Sequence, residues 1–276
     1  MNKKQVPFNQ QDALRAAVST SERPKNAGPV SASLTFGGRM LLKIKYVPEQ
    51  LFDITAFPII FLLMFTYLFG GALAGSTEAY LQFVLPGVLV LTVVSITMYT
   101  GIELNNDITK GIFDRFRTLP VWRPSVLVGA LLVDLVRYSI ASAIMLTLGF
   151  ILGFRPEGGL VGVLLGVGIL LVFAFSISWI WTTLGLVMRS EKSLMGASMM
   201  VLFPLTFISN VFVDPDTMPS WLQPIVENNP VSFLVVAVRG FMGGDPAFAE
   251  VGWVFVGSFL LVLVFAPLTM YLYYKK

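Results

Sequence analysis

The chain has 276 residues, of which 55% are hydrophobic and only 13% charged, and its mean hydropathy is +0.77. An ordinary soluble domain carries about a quarter charged residues, so this is a membrane protein. The absence of cysteine and histidine excludes disulfides, thiolate or HExxH metal sites, Ser-His dyads and imidazole proton shuttles. The net charge of +3 comes from cations that form no patch beside stacking aromatics, which excludes a nucleic-acid partner.

Residues 1–33 are rich in Gln, Asn, Ser and Pro and hold no helical period, so they read as a disordered cytoplasmic tail without a cleavable signal peptide. Residues 34–276 read as one transmembrane domain. Its first element is an amphipathic helix over 34–50, with Phe36, Met40, Ile44, Val47 and Leu51 on one stripe and Arg39, Lys43, Lys45 and Glu49 off it. Such a helix lies in the membrane interface with its lysines toward anionic lipid head groups, or else docks on a soluble partner.

A helix needs about twenty apolar residues to cross the hydrocarbon core. That criterion gives six spans, at about 54–76, 81–102, 125–153, 159–187, 193–213 and 251–274. Sixteen of the nineteen cations fall on the termini and loops of one side; Arg155 and Arg239 fall opposite, and Arg137 lies inside the third span. By the positive-inside rule both termini are cytoplasmic.

The external segment between the fifth and sixth spans is too long for a plain connection. Within it Val231–Val238 is too short to cross, and it reads as a helix dipping into the outer half of the membrane and packed on the spans.

Between the second and third spans lies a charged island, Lys110 to Pro124. Wound as a helix, it puts Ile112, Phe113, Phe116 and Leu119 on one arc and Lys110, Gly111, Asp114, Arg115, Arg117 and Thr118 on the other. Pro120 ends it. This predicts a short helix lying flat on the cytoplasmic surface, its charged face presented to a partner; the plainer reading is a loop that only fixes topology.

Asp134 and Arg137 share one face of the third span, and neither sits unpaired in hydrocarbon without penalty. They form either a structural ion pair, the preferred reading, or a substrate or proton site. Gly162 and Gly166 make a GxxxG that suits ordinary close packing better than a dedicated dimer contact. Met195, Met199 and Met200 offer an adaptable surface for apolar cargo, or simply fill gaps. No GxxxxGK[ST] phosphate loop occurs, so ATP-driven work must be done by another chain.

The LPG at Leu85–Gly87, the island GIFDRFRTLPVWRPS from Gly111 to Ser125, the MRSEKS turn from Met188 to Ser193 and the external run from Phe212 to Gly244 resemble the permeases of type-2 ATP-binding-cassette (ABC) exporters, in particular the daunorubicin-resistance-like branch. The resemblance covers about residues 34–274. It implies an all-α fold in which the 111–119 helix is a coupling helix, with Gly111, Phe113, Asp114, Arg115, Phe116, Arg117 and Leu119 at the groove of an ATPase subunit. It also implies external re-entrant helices carrying Pro219, Trp221, Pro224, Asn229, Pro230, Arg239 and Gly240.

The same resemblance implies export of a small amphipathic or lipid-like compound (a drug, secondary metabolite or glycolipid) by two permease protomers in the plasma membrane. ATP and Mg would be bound by the partner ATPase, and this chain would hold no cofactor or metal. The alternative from the residues is a stand-alone ion- or proton-coupled secondary transporter, for which Asp134 and Arg137 supply the only intramembrane ionisable pair.

Overall fold

The computed structural model describes residues 28, 31, 33, 35, 37, 38, 49–111 and 124–275. Most of the 1–33 tail, most of the 34–50 stretch and the island positions 112–123 lie outside the described residues, and with them Phe113, Asp114, Arg115, Phe116, Arg117 and Leu119.

Every regular element among the described residues is helical. Helix α1 runs Glu49–Met64, passes through a π-helical turn at Phe65–Phe69 and finishes as α2, Gly70–Ala74. Gly75, at φ +74°, closes it. Ser76 then caps the next helix, its hydroxyl accepting from the Ala79 amide at 3.1 Å.

Helix α3, Thr77–Ile96, and helix α4, Met98–Thr109, are one long rod interrupted at Thr97. The sequence expectation ended this span at residue 102, because Glu103, Asn105 and Asp107 break the apolar run. The rod continues because two of those polar groups find buried partners: Glu103 meets Arg137, and the Asn105 amide donates to the Gly185 and Met188 carbonyls at 3.0 and 2.8 Å.

Helix α5 spans Ser125–Leu152 and ends at Gly153, whose φ is +105°. Helix α6 spans Gly159–Val187, α7 Glu191–Phe207 and α10 Phe248–Lys275. Between α7 and α10 come a 3-10 turn at Pro215–Thr217 and two short helices, α8 (Gln223–Glu227) and α9 (Pro230–Gly243).

Five helices among the described residues are long and apolar enough to cross a membrane: Thr55–Ala74, Thr77–Thr109, Ser125–Leu152, Gly159–Val187 and Phe248–Lys275. The span expected over 193–213 is the 17-residue α7. It stops before residue 213 because the segment that follows intercepts its end: Asn229 Nδ2 donates to the Leu205 and Ile208 carbonyls at 2.8 and 2.6 Å. Helix α9 has 14 residues and would reach only about 21 Å at 1.5 Å per residue.

The α3–α4 rod is the most enclosed of the long helices and α10 the least. Around the rod stand α1, α5, α6 and α9, with α7 against α4; α6 also packs on α9 and α10. Glycines set the closest approaches. A Cβ on Gly101 would run into the Trp181 carbonyl of α6, and one on Gly185 would come within 2.5 Å of the Gly101 carbonyl, so α4 and α6 touch backbone to backbone. Gly158 and Gly162 meet the Phe241 carbonyl of α9 in the same way. The GxxxG is therefore occupied inside the chain.

Candidate functional site

Three features stand out, arranged from one end of the bundle to the other. The first is a buried polar cluster joining α4, α5 and α6. Thr100 and Glu103 lie one turn apart on α4, as Asp134 and Arg137 do on α5. Arg137 Nη1 lies 3.2 Å from Asp134 Oδ1, and Arg137 Nη2 donates to Glu103 Oε1 at 2.8 Å. Thr100 Oγ1 donates to Asp134 Oδ2 at 2.6 Å and lies 3.1 Å from the Tyr138 hydroxyl, which is 2.8 Å from Ser178 Oγ on α6.

The Arg137, Glu103 and Asp134 side chains are at most 12% exposed. One guanidinium thus serves two carboxylates, and the cluster ties together the two helices that flank the island. Sequence reasoning found Asp134 and Arg137 and missed Glu103, Thr100, Tyr138 and Ser178. The available signal was a second pair of polar residues at i,i+3 spacing, Thr100 and Glu103, on the neighbouring helix.

The second feature is an apolar cleft. A cavity of about 250 Å³ opens between α1, the α3–α4 rod and α7. Phe57 and Pro58 line it from α1, Leu91, Ser95, Met98 and Tyr99 from the rod, and Met199, Leu202, Phe203, Thr206 and Phe207 from α7. Aromatic rings continue from it along the π turn, with Phe61 and Phe207 at 6.0 Å and Phe65 stacked on Phe212 at 4.4 Å. Met199 and Phe203 are largely exposed, so the cleft is open along α7. Met199 belongs to the methionine set singled out in the sequence; the aromatic share of the lining was not legible there.

The third feature is the segment between α7 and α10. Asn229 caps α9 by accepting from the Val231 amide at 2.8 Å while its amide holds the end of α7. Pro230 sits in the first turn of α9 and Pro224 in that of α8, where a missing N–H costs nothing. Arg239 reaches back across the bundle: Nε donates to the Phe83 carbonyl and Nη2 to the Asn210 carbonyl, both at 3.1 Å, and its guanidinium lies 3.8 Å above the Phe83 ring.

A Cβ on Gly240 would stand 2.7 Å from the Asp245 carbonyl, which accounts for the glycine after that arginine. Asn229 and Arg239 therefore brace one region, whereas Pro219 and Trp221 are exposed and take no part in it. Gly111, the one residue of the expected coupling set that lies within the described residues, has φ +67° and stands at the end of α4. Among the described residues no three carboxylates converge in a way that could hold a metal ion.

Long apolar helices around a buried polar cluster, with an open apolar cleft, define a multi-pass membrane protein of the transport class. Residues 34–243 match the ABC-2 type transporter family, and the chain belongs to it. The chain is 54% identical to the daunorubicin resistance ABC transporter permease protein DrrB1 of Streptomyces coeruleorubidus, over 95% of this chain and 93% of that one. It is also 27% identical to a protein of Mycobacterium tuberculosis named as a probable doxorubicin resistance ABC transporter permease, DrrC, over 68% of each.

This chain is accordingly the permease of an ABC transporter, and ATP is hydrolysed by a separate ATPase partner. Family membership sets aside the alternative of a stand-alone ion-coupled transporter.

Proposed function

We propose that the protein exports a small amphipathic or lipid-like compound from the cell, taking it into the cleft between α1, the α3–α4 rod and α7. The cleft carries this reading: its walls are aromatic and apolar, with Met98 and Met199 among them and Ser95, Tyr99 and Thr206 supplying the polar groups. Apolar walls with few polar groups select a ligand by shape more than by a pattern of donors, and methionine adapts to irregular partners. The names of the relatives make daunorubicin and doxorubicin the first compounds to test.

In this reading the chain crosses the plasma membrane six times, α7 being the fifth span, with both termini cytoplasmic. The 219–241 stretch forms re-entrant helices on the outer side, and two copies assemble with two ATPase subunits. The ATPase docks on the 111–119 helix, with Asp114, Arg115 and Arg117 toward the partner and Phe113, Phe116 and Leu119 seating the helix against the spans; Gly111 lets the chain turn out of α4. Asp134 and Arg137 act as a structural ion pair above that dock.

Replacing Phe113 and Arg117 together with alanine should abolish drug-stimulated ATP hydrolysis by the reconstituted complex while leaving membrane insertion intact. Unchanged stimulation would remove the docking role.

A further inference from the structure

The only two cations that the charge count places on the outer side, Arg155 and Arg239, line one pocket. It measures about 220 Å³ and lies between the outer end of α3, the α5–α6 turn and α9, with Gln82 and Glu157 on its walls. Neither arginine makes an ion pair among the described residues, where both ion pairs belong to Arg137.

Each guanidinium is held along one edge by carbonyl oxygens. Arg239 gives Nε and Nη2 to Phe83 and Asn210, and Arg155 gives Nη1 to Phe154 and Phe150 at 2.9 and 3.3 Å. Arg239 Nη1 and Arg155 Nη2 remain without a protein partner among the described residues. Gln82 fixes the turn that carries Arg155, accepting from its amide at 3.0 Å and donating to the Gly153 carbonyl at 3.2 Å. The Gly158 amide joins this turn to α9 through the Met242 carbonyl at 2.9 Å.

Two preorganised guanidinium edges suit a phosphate, which accepts paired N–H donors. Glu157 on the same wall suits a cation carried by the same ligand. Pro86, Phe154, Pro156 and Met242 add apolar surface, and the pocket sits at helix ends, which in the proposed orientation is the depth of the outer head groups. We propose that it binds the phosphoethanolamine head group of an outer-leaflet lipid, the phosphate on Arg155 and Arg239 and the primary ammonium on Glu157. A choline head group has no N–H for Glu157, and a glycerol head group has no charge for it. This rests on the orientation given in the preceding subsection.

The test uses the permease with its ATPase in detergent, incubated with equal amounts of phosphatidylethanolamine, phosphatidylglycerol and phosphatidylcholine, with retained lipid counted by native mass spectrometry. Phosphatidylethanolamine should be retained in preference to the other two. Arg155→Gln should weaken its retention roughly tenfold, the loss of one charge-assisted hydrogen bond, and Glu157→Gln should equalise it with phosphatidylglycerol. Retention of phosphatidylethanolamine by Arg155→Gln at the level of the unaltered protein, or equal retention of the three lipids by the unaltered protein, would overturn the proposal.

The orientation is checked apart from this. The chain has no cysteine, so the exposed Ser220 replaced as Ser220→Cys should react with an impermeant maleimide on intact cells. Failure there would overturn the orientation while leaving lipid retention in detergent as it was.

Discussion

Replacing Arg137 by methionine tests the polar cluster most directly. The substitution keeps much of the side-chain volume and removes the single cation serving Glu103 and Asp134, which lie 2.8 and 3.2 Å from it with side chains no more than 12% exposed. Breaking a buried pair by removing one partner costs about 3–5 kcal/mol. Here the penalty should reach the upper end, because two carboxylates are stranded together and only Thr100 still donates to Asp134.

On the scale of soluble domains of comparable length, that is a fall in Tm of roughly 10–20 °C. Heating the detergent-solubilised protein in steps and following the monodisperse fraction by size exclusion reads it. The informative comparison is a triple variant, Glu103→Gln with Asp134→Asn and Arg137→Gln, which removes every charge and keeps hydrogen-bonding groups. It should recover most of the loss, since an uncharged cluster has no carboxylate to strand. Arg137→Met melting within about 2 °C of the unaltered protein, well under one broken pair, would refute the reasoning; so would a triple variant no more stable than Arg137→Met.

Two further outcomes follow from backbone contacts and caps. Gly101→Val should force α4 and α6 apart, because the added Cβ meets the Trp181 carbonyl and not a movable side chain. Overpacking of this kind costs about 1–3 kcal/mol or more, and size exclusion should show loss of the monodisperse peak, while Gly168→Val, with open space around it, should leave the peak unchanged. Asn229→Ala loses the cap on Val231 and the donors to Leu205 and Ile208, together about 2–4 kcal/mol. Asn229→Asp keeps the cap but sets a carboxylate oxygen against the Leu205 and Ile208 carbonyls, so it should be no more stable than Asn229→Ala.

The spans were legible because hydrocarbon excludes charge: a helix bathed in water on one face carries charged residues every turn or two, and a twenty-residue stretch without them has no such face. Their ends were harder to read. Glu103 ends the second apolar run in sequence, yet the helix continues through it, because the partner that neutralises it comes from α5 and no single-chain pattern displays that pairing. Asn229 likewise shortens the fifth apolar run from more than twenty positions away in the chain.

The GxxxG was visible as a motif without its partner, since Phe241 meets Gly162 only after the segment between α7 and α10 folds back. Of the three features, Asp134 and Arg137 and the methionine surface were visible as residues. The cleft was not, because it is a gap among side chains of α1, the rod and α7 that pack elsewhere in an apolar sequence.

The placement of that gap follows from where the backbone contacts lie. From the island, α4 and α5 leave as a pair locked by Arg137; α4 meets α6 at Gly101 and Gly185; α6 meets α9 at Gly158 and Gly162. Glycine contacts leave no side chain to rearrange, so displacement at one end of this series passes along it with little slack. Helices α1 and α7 are held differently: side chains join α1 mainly to α3 and α7 mainly to α4, with the cavity between them. The walls of the cleft are thus the less tightly joined part of the described bundle, with Asn229 and Arg239 bracing the C-terminal end of α7 and Ser190 capping its N-terminal end.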